Sequence, residues 1–251
     1  MRQILVIVCF LLSQRLFAEE AALQFEHANE LYRNGRYQEA ATLYEQVLGN
    51  GYEHSALYYN LGNAYFKTQN IPGAILSYER ALRLAPGDED VQYNLRLANL
   101  RVVDKIEPLP QLFFVQWWNS FLALFSSDGW ATAGIGALWL AASAGALFFF
   151  LRTMLMQRLA VLFGLGCVAL ALLSFGCVYQ QYHHEESDRT GIIFASTVPV
   201  KSAPDTQSTD LFVIHEGVKV EILDNVGEWR KIRLVDGKVG WANAESMQVI
   251  Q

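Results

Sequence analysis

GWATAGIGALWLAASAGALFFFL at 129–151 and LAVLFGLGCVALALLSFGCVYQQY at 159–182 contain no acid and no base. As helices, runs of 23 and 24 residues are each long enough to cross the roughly 30 Å of bilayer hydrocarbon. Two such lengths apolar on every face do not suit a soluble core, where one side of a helix usually meets water. They predict a transmembrane hairpin whose connection, 152–158, carries only Arg152 and Arg158 as charges. Basic residues close to the span ends favour the cytoplasmic side, and the outer flanks carry Asp128, Glu185, Glu186 and Asp188. The loop is therefore expected inside and both flanks outside.

An exported first module needs an export signal. Arg2 precedes the apolar run Ile4 to Leu12, and 1–18 reads as a signal peptide with cleavage after Ala18, although Arg15 and Leu16 depart from the usual pattern. The 251 residues are 52% hydrophobic with a formal net charge of −6, and the spans supply much of that apolar content. Residues 19–107 hold 13 acids and 8 bases, net −5. No basic arm points to nucleic acid. Cys9 falls in the signal and Cys167 and Cys177 in the second span, so neither soluble module has a disulfide available.

The first module repeats. Ala28, Gly35, Tyr37, Ala40 and Tyr44 are followed 34 residues later by Gly62, Gln69, Ile71, Ala74 and Tyr78; Asn60, Leu61 and Tyr65 return as Asn94, Leu95 and Asn99. Tyr58, Leu61, Ala64 and Tyr65, then Ala74, Tyr78, Ala81 and Leu82, keep helical spacing within a unit. Small residues at 28, 40, 62 and 74 admit close helix pairs, Tyr44 and Tyr78 fill wider gaps, and Pro86-Gly87 ends the fourth helix. A fifth helix over about 89–105 would close the stack. This pattern resembles the tetratricopeptide repeat, most strongly over 55–88. The resemblance implies a peptide- or protein-binding concave face, carried by Phe25, Asn29, Tyr32 and Arg33, then Tyr59, Asn63, Phe66 and Lys67, then Tyr93, Leu97 and Arg101. Tyr59, Asn63 and Lys67 would form its middle. Phe25 and Tyr59 stand where some relatives place lysines that grip a terminal carboxylate, which argues against that kind of clamp.

Between repeats and hairpin, 108–128 contains Phe113, Phe114, Trp117, Trp118, Phe121 and Phe125, with no charge before Asp128. Paired tryptophans and the four residues left for a turn favour an interfacial segment on the outer face of the membrane. A third span over 108–127 is the alternative, and it would separate the two soluble modules.

After Arg189 the pattern becomes strand-like. Runs at 191–200, 210–214, 219–223, 229–234 and 239–242 are divided by Ala203-Pro204-Asp205, Glu216-Gly217, Asp224-Asn225 and Asp236-Gly237, predicting a small five-stranded barrel with Val220, Ile222, Trp229, Ile232 and Val239 in its core. Pro199-Val200-Lys201, Glu216-Gly217, Glu228 to Ile232 and Gly240-Trp241 resemble a bacterial SH3 domain over 190–251. That resemblance implies binding of peptide or peptidoglycan, with Trp241 and Trp229 as its ligand surface and Phe194 or Phe212 as neighbours of Trp241.

The expected fold is thus a multi-domain membrane protein: an all-α tetratricopeptide solenoid (19–107), a transmembrane helical hairpin (129–151, 152–158, 159–182) and a small all-β SH3-like barrel (190–251). The whole order resembles the BatE-type proteins of the Bacteroidetes aerotolerance operon. It implies an inner-membrane protein with both modules in the periplasm, a non-catalytic adaptor beside von Willebrand factor A-domain membrane proteins and a MoxR-type ATPase. An envelope sensor binding peptidoglycan or peptide through its SH3-like module is the alternative. No cofactor, metal or catalytic residue is expected: His183-His184-Glu185-Glu186 are too local to surround an ion, and no nucleophile or phosphate-binding motif is present. Protease added to intact spheroplasts should digest tags placed in both soluble modules; protection of the carboxyl-terminal tag alone would mark a third span.

Overall fold

The computed structural model describes residues 20–107, 109, 112–187 and 189–250, with backbone only for 183–187. The expected signal at 1–18 and the His-His-Glu-Glu side chains lie outside what is described. The chain divides into two compact units, one formed by the region up to Leu109 together with the region from Arg189, the other by 110–188.

In the first unit, α1 (20–33), α2 (Tyr37–Gly49), α3 (Ser55–Lys67), α4 (Ile71–Leu84) and α5 (Glu89–Asn99) form successive helix–turn–helix pairs with α5 packed after them. The turns share a left-handed residue one period apart, Gly35 at φ 77° and Gln69 at φ 65°. Caps define the helix starts: His54 Nδ1 accepts from Ala56 N–H, Asn70 Oδ1 from Gly73 N–H, and Asp88 Oδ1 from Asp90 and Val91 N–H. Gly62 is required by proximity, since a Cβ there would lie 2.6 Å from the Tyr78 ring. Tyr44 and Tyr78 are each 1% exposed, filling the gaps between helices. The fifth helix is shorter than expected. It stops at Asn99, where the Lys105 ammonium donates to the carbonyls of Asn99, Leu100 and Val102 and satisfies the orphan acceptors of the helix end.

The carboxyl-terminal module is a seven-stranded sheet in the order β3-β2-β6-β5-β4-β1-β7: β1 (Thr190–Ile193), β2 (Thr197–Lys201), β3 (Asp210–His215), β4 (Lys219–Val226), β5 (Trp229–Arg233), β6 (Val239–Asn243) and β7 (Met247–Val249). Two strands more than expected arise because 191–200 breaks at Phe194 to Ser196 and because Met247–Val249 pairs with β1. Val220, Ile222 and Ile232 are buried as expected. Trp229 is only half-buried and Val239 is 37% exposed, because both alternate outward with Ile232 and Gly240 facing in. Ile192, Ile193, Val200, Ile214 and Ala242 occupy the interior instead.

The repeats and the sheet share one hydrophobic core. Ile75 on α4 and Val102 after α5 converge on Gly217 in the β3–β4 turn; a Cβ at Gly217 would lie 2.8 Å from Val102 Cγ2 and 3.4 Å from Ile75 Cδ1. Polar contacts surround this junction. Lys219 Nζ donates to Glu79 Oε2 at 2.7 Å, and Asp104 accepts from His215 N–H at 2.6 Å while its second oxygen lies 3.0 Å from His215 Nδ1. Arg80 and Arg83 donate to the carbonyls of Val249 and Ile250 at 3.2 and 3.0 Å. Side chains from the helical module therefore meet backbone groups at both ends of the strand order, β3 and β7.

In the second unit, α6 (Phe113–Leu122), α7 (Ser127–Phe148) and α8 (Met154–Ser187) are helical. Ser127–Phe148 and Met154–Tyr182 are long and apolar enough to cross a membrane. Their mutual seam buries Trp130, Gly134, Ala137 and Ala144 against Cys167, Ala171, Ser174 and Cys177, and small residues allow this close approach. Along α7 the seam runs through Trp130, Gly134, Ala137, Ala141 and Ala144, with Gly164 of α8 against Ala144 and the Ala141 carbonyl, whereas nothing lies within 4 Å of a Cβ at Gly145. Alternating steps of three and four follow the seam of two helices wound about each other. At ten residues, or about 15 Å, α6 is too short to cross about 30 Å of hydrocarbon.

Gly217→Ala should lower unfolding stability by about 1–3 kcal/mol, because it combines a positive φ with overpacking against Val102. Denaturant titration of the detergent-solubilised protein checks this, with Gly49→Ala, which meets open space at a helix end, as a variant that should not destabilise.

Candidate functional site

The face carried by α1, α3 and α5 is organised by a hydrogen-bond motif written twice. Tyr44 Oη donates to Asn29 Oδ1 at 2.7 Å, and Asn60 Nδ2 donates to the same oxygen at 2.9 Å. One repeat later, Tyr78 Oη and Asn94 Nδ2 donate to Asn63 Oδ1 at 2.8 and 2.9 Å. Asn94 Nδ2 also reaches Tyr59 Oη at 3.0 Å. Burial raises the pKa of Tyr44 and Tyr78, so both phenols stay protonated and remain donors across the physiological range. Asn29 and Asn63 thus hold neighbouring helices in register. With its oxygen doubly occupied, each asparagine can offer a ligand only amide hydrogens; in Asn29 one of these already meets Glu26 at 3.3 Å.

The aromatics divide into wall and surface. Phe25 tilts against Tyr44 at 5.9 Å and Tyr59 against Tyr78 at 6.2 Å, again one period apart, and both are half-buried. Tyr32 is half-buried and meets Tyr37 edge-on at 5.0 Å; burial, then the neighbouring Tyr37 and Tyr59, raises its pKa. Phe66 lies beneath Arg101, whose guanidinium is 5.8 Å from the ring centre. Tyr93 is 56% exposed, with Arg96 6.0 Å from its ring, and Leu97 is half-buried. Arg33, Lys67 and Arg101 are exposed; α3 contains no acid, and Glu26 and Glu30 are exposed on α1. Arg101 stands just beyond the end of α5 rather than on it.

On the sheet, Trp241 of β6 lies opposite Lys231 on one side and Lys201 on the other. Lys231 Nζ is 6.0 Å from the indole centre, while Lys201 donates to Asp210 Oδ1 and the Ser208 carbonyl at 2.9 and 3.1 Å. Trp229 pairs with Asn243 and faces outward on the same side. A half-buried indole beside the Lys231 ammonium can stack on a flat or sugar-like face and draw a carboxylate to Lys231, whereas the Lys201 charge is already met by Asp210. Phe194 and Phe212 pack against the buried core. Arg152 and Arg158 lie in the second unit, flanking and beginning α8, with both side chains exposed.

Residues 25–89 match the tetratricopeptide repeat family, and 196–248 match the bacterial SH3 domain family. Among curated proteins, the chain is similar to "Tetratricopeptide repeat protein 16" of Macaca fascicularis and of Homo sapiens, 33% identical to each over 72 residues. That segment is 29% of this chain and 8% of either relative. The chain therefore carries a tetratricopeptide repeat module and a bacterial SH3 domain, both typically interaction modules rather than catalytic ones.

Sequence reading missed the roles of Asn60 and Asn94, although their 34-residue spacing, shared with Tyr44 and Tyr78, was a usable signal. Asn63→Ala should destabilise the fold by about 1–3 kcal/mol, since Tyr78 and Asn94 lose a shared acceptor. Lys67→Ala, at an exposed position, should stay within about 0.5 kcal/mol. Parallel thermal melts of the two variants check the contrast.

Proposed function

We propose that the chain is a membrane-anchored adaptor of the cell envelope, with its repeat face as the principal docking surface. The observation that carries this reading is the position of the sheet: it packs on α4 and the segment after α5, leaving Arg33, Lys67, Tyr93 and Arg101 on the α1, α3 and α5 face open to solvent. Phe25, Tyr32, Tyr59 and Phe66 provide an aromatic floor, Asn63 an amide donor, and Arg33, Lys67 and Arg101 the charge. A peptide combining aromatic or apolar side chains with carboxylates suits that surface.

The shared core of repeats and sheet supports a two-span topology, because a bilayer cannot divide a buried contact such as that between Ile75 and Gly217. An even number of crossings between 109 and 189 meets that condition. Arg152 and Arg158 favour a cytoplasmic loop, which places both modules in the periplasm. Within the resemblance to BatE-type proteins of the Bacteroidetes aerotolerance operon, the partners are von Willebrand factor A-domain membrane proteins. A second reading, an envelope sensor, draws on the Lys231–Trp241 pair, whose chemistry suits peptidoglycan or an acidic peptide.

Crosslinking in native membranes with partner identification tests both. Charge reversal by Arg33→Glu with Lys67→Glu should abolish recovery of the von Willebrand factor A-domain proteins while leaving the melting transition in place. Unchanged recovery would refute the repeat face as the docking surface. Loss of wall-fragment binding in Trp241→Ala alone would favour the sensor.

A further inference from the structure

The second unit contains an apolar surface that helix packing does not use. Taking about 100° per residue, α6 separates into three sectors. Trp118 and Leu122 turn toward the hairpin, joined by Phe121: Leu122 is buried with Trp130 and Cys177, and Phe121 lies 5.3 Å from the Trp130 ring. Gln116, Asn119 and Ser120 form an exposed polar sector. Between these two lie Phe113 and Trp117, exposed by 82% and 68%, and Phe114, on the Phe121 side one turn further from the carboxyl end of α6, is 54% exposed and adjoins them.

Polar contacts fix the rotation of α6. Trp118 Nε1 donates to Gln180 Oε1 at 3.1 Å, and Trp130 Nε1 donates to the Leu122 carbonyl at 3.0 Å. Gln181 Nε2 donates to the carbonyls of Leu122 and Phe125 at 2.8 and 3.0 Å. These bonds satisfy carbonyls at the carboxyl end of α6, where hydrocarbon would leave them unpaired. They also tie α6 to the same end of the hairpin at which the apolar run of α8 gives way to Gln180 and Gln181.

We infer that the Phe113, Phe114 and Trp117 face of α6 is a lipid-binding surface, seated at the boundary between headgroups and acyl chains of the outer leaflet. The inference rests on the reading of α7 and α8 as spans. The occupant follows from composition and continuity. Aromatic rings favour this depth, the polar sector remains available to water, and only Ala123 to Ser126 separate α6 from the first apolar helix. Because α6 carries no charge, the contact requires no anionic headgroup and resists salt.

Tryptophan quenching by brominated phosphatidylcholine in vesicles holding the full chain tests this, with bromine placed either near the ester end or near the methyl end of the acyl chain. Trp117→Phe should remove much of the quenching by shallow bromine and little of that by deep bromine. Trp139→Phe should do the reverse, since Trp139 is 72% exposed near the middle of α7. If Trp139 is quenched by deep lipid while Trp117 answers only to aqueous iodide, the hairpin stands and the inference falls. Protection of Trp117 from both lipid and iodide would mean that protein covers this face, and would equally overturn it. Shallow quenching confined to anionic vesicles would refute the uncharged contact. Absence of deep quenching at Trp139 would remove the spans, and the lipid surface with them.

Discussion

The contact of Ile75 and Val102 with Gly217 is the constraint on which the first unit depends. Without it, α4 would present an apolar stripe to water on the side opposite its partner α3, and the sheet would expose the turn between β3 and β4. A glycine at φ 86° is what lets the turn come close enough. Once it is seated, Glu79, Arg80, Arg83 and Asp104 fall opposite Lys219, Val249, Ile250 and His215, and each finds a partner. These polar contacts give the docking a defined register, which apolar burial alone does not specify. They also answer a standing problem of open sheets, since backbone groups at an edge are a template for unwanted pairing.

The repeat face has a different source of order. Its asparagines are fixed from behind by tyrosines and from the side by the next helix, so the residues best placed to meet a ligand also hold the solenoid together. At Asn29 and Asn63 a position on the candidate face also carries stability, whereas Arg33 and Lys67 are exposed. Charge at Arg33 and Lys67 is therefore separable from the packing of the stack.

Much of the architecture was legible because it is periodic. The 34-residue recurrence of small residues and tyrosines located the helix pairs, and the two uncharged runs located the hairpin. Strand alternation found most of the sheet but assigned Val239 to the wrong side and overlooked Met247–Val249, a short edge strand with little pattern of its own. Which small residues line the seam within the hairpin was not legible, because several compete on each helix and only packing shows that Ala144 faces inward and Gly145 does not. The junction of repeats with sheet was not legible at all: Arg80, Arg83 and Asp104 look like ordinary surface charges, and their partners lie more than a hundred residues away. Of the candidate site, the aromatic and basic positions followed from repeat register, whereas the occupied state of the asparagine oxygens depends on distances between helices.

The separation between Arg80 and Val249, 169 residues, also constrains biogenesis. The outer face of α4 stays uncovered until the sheet, synthesised after the two apolar helices, has folded against it. Until then Ile75 is not covered, and the repeats display an apolar surface of the kind chaperones and proteases recognise. Closure of the unit thus couples the stability of the repeats to completion of the sheet, so the helical module reaches its stable form only after β7 has been made.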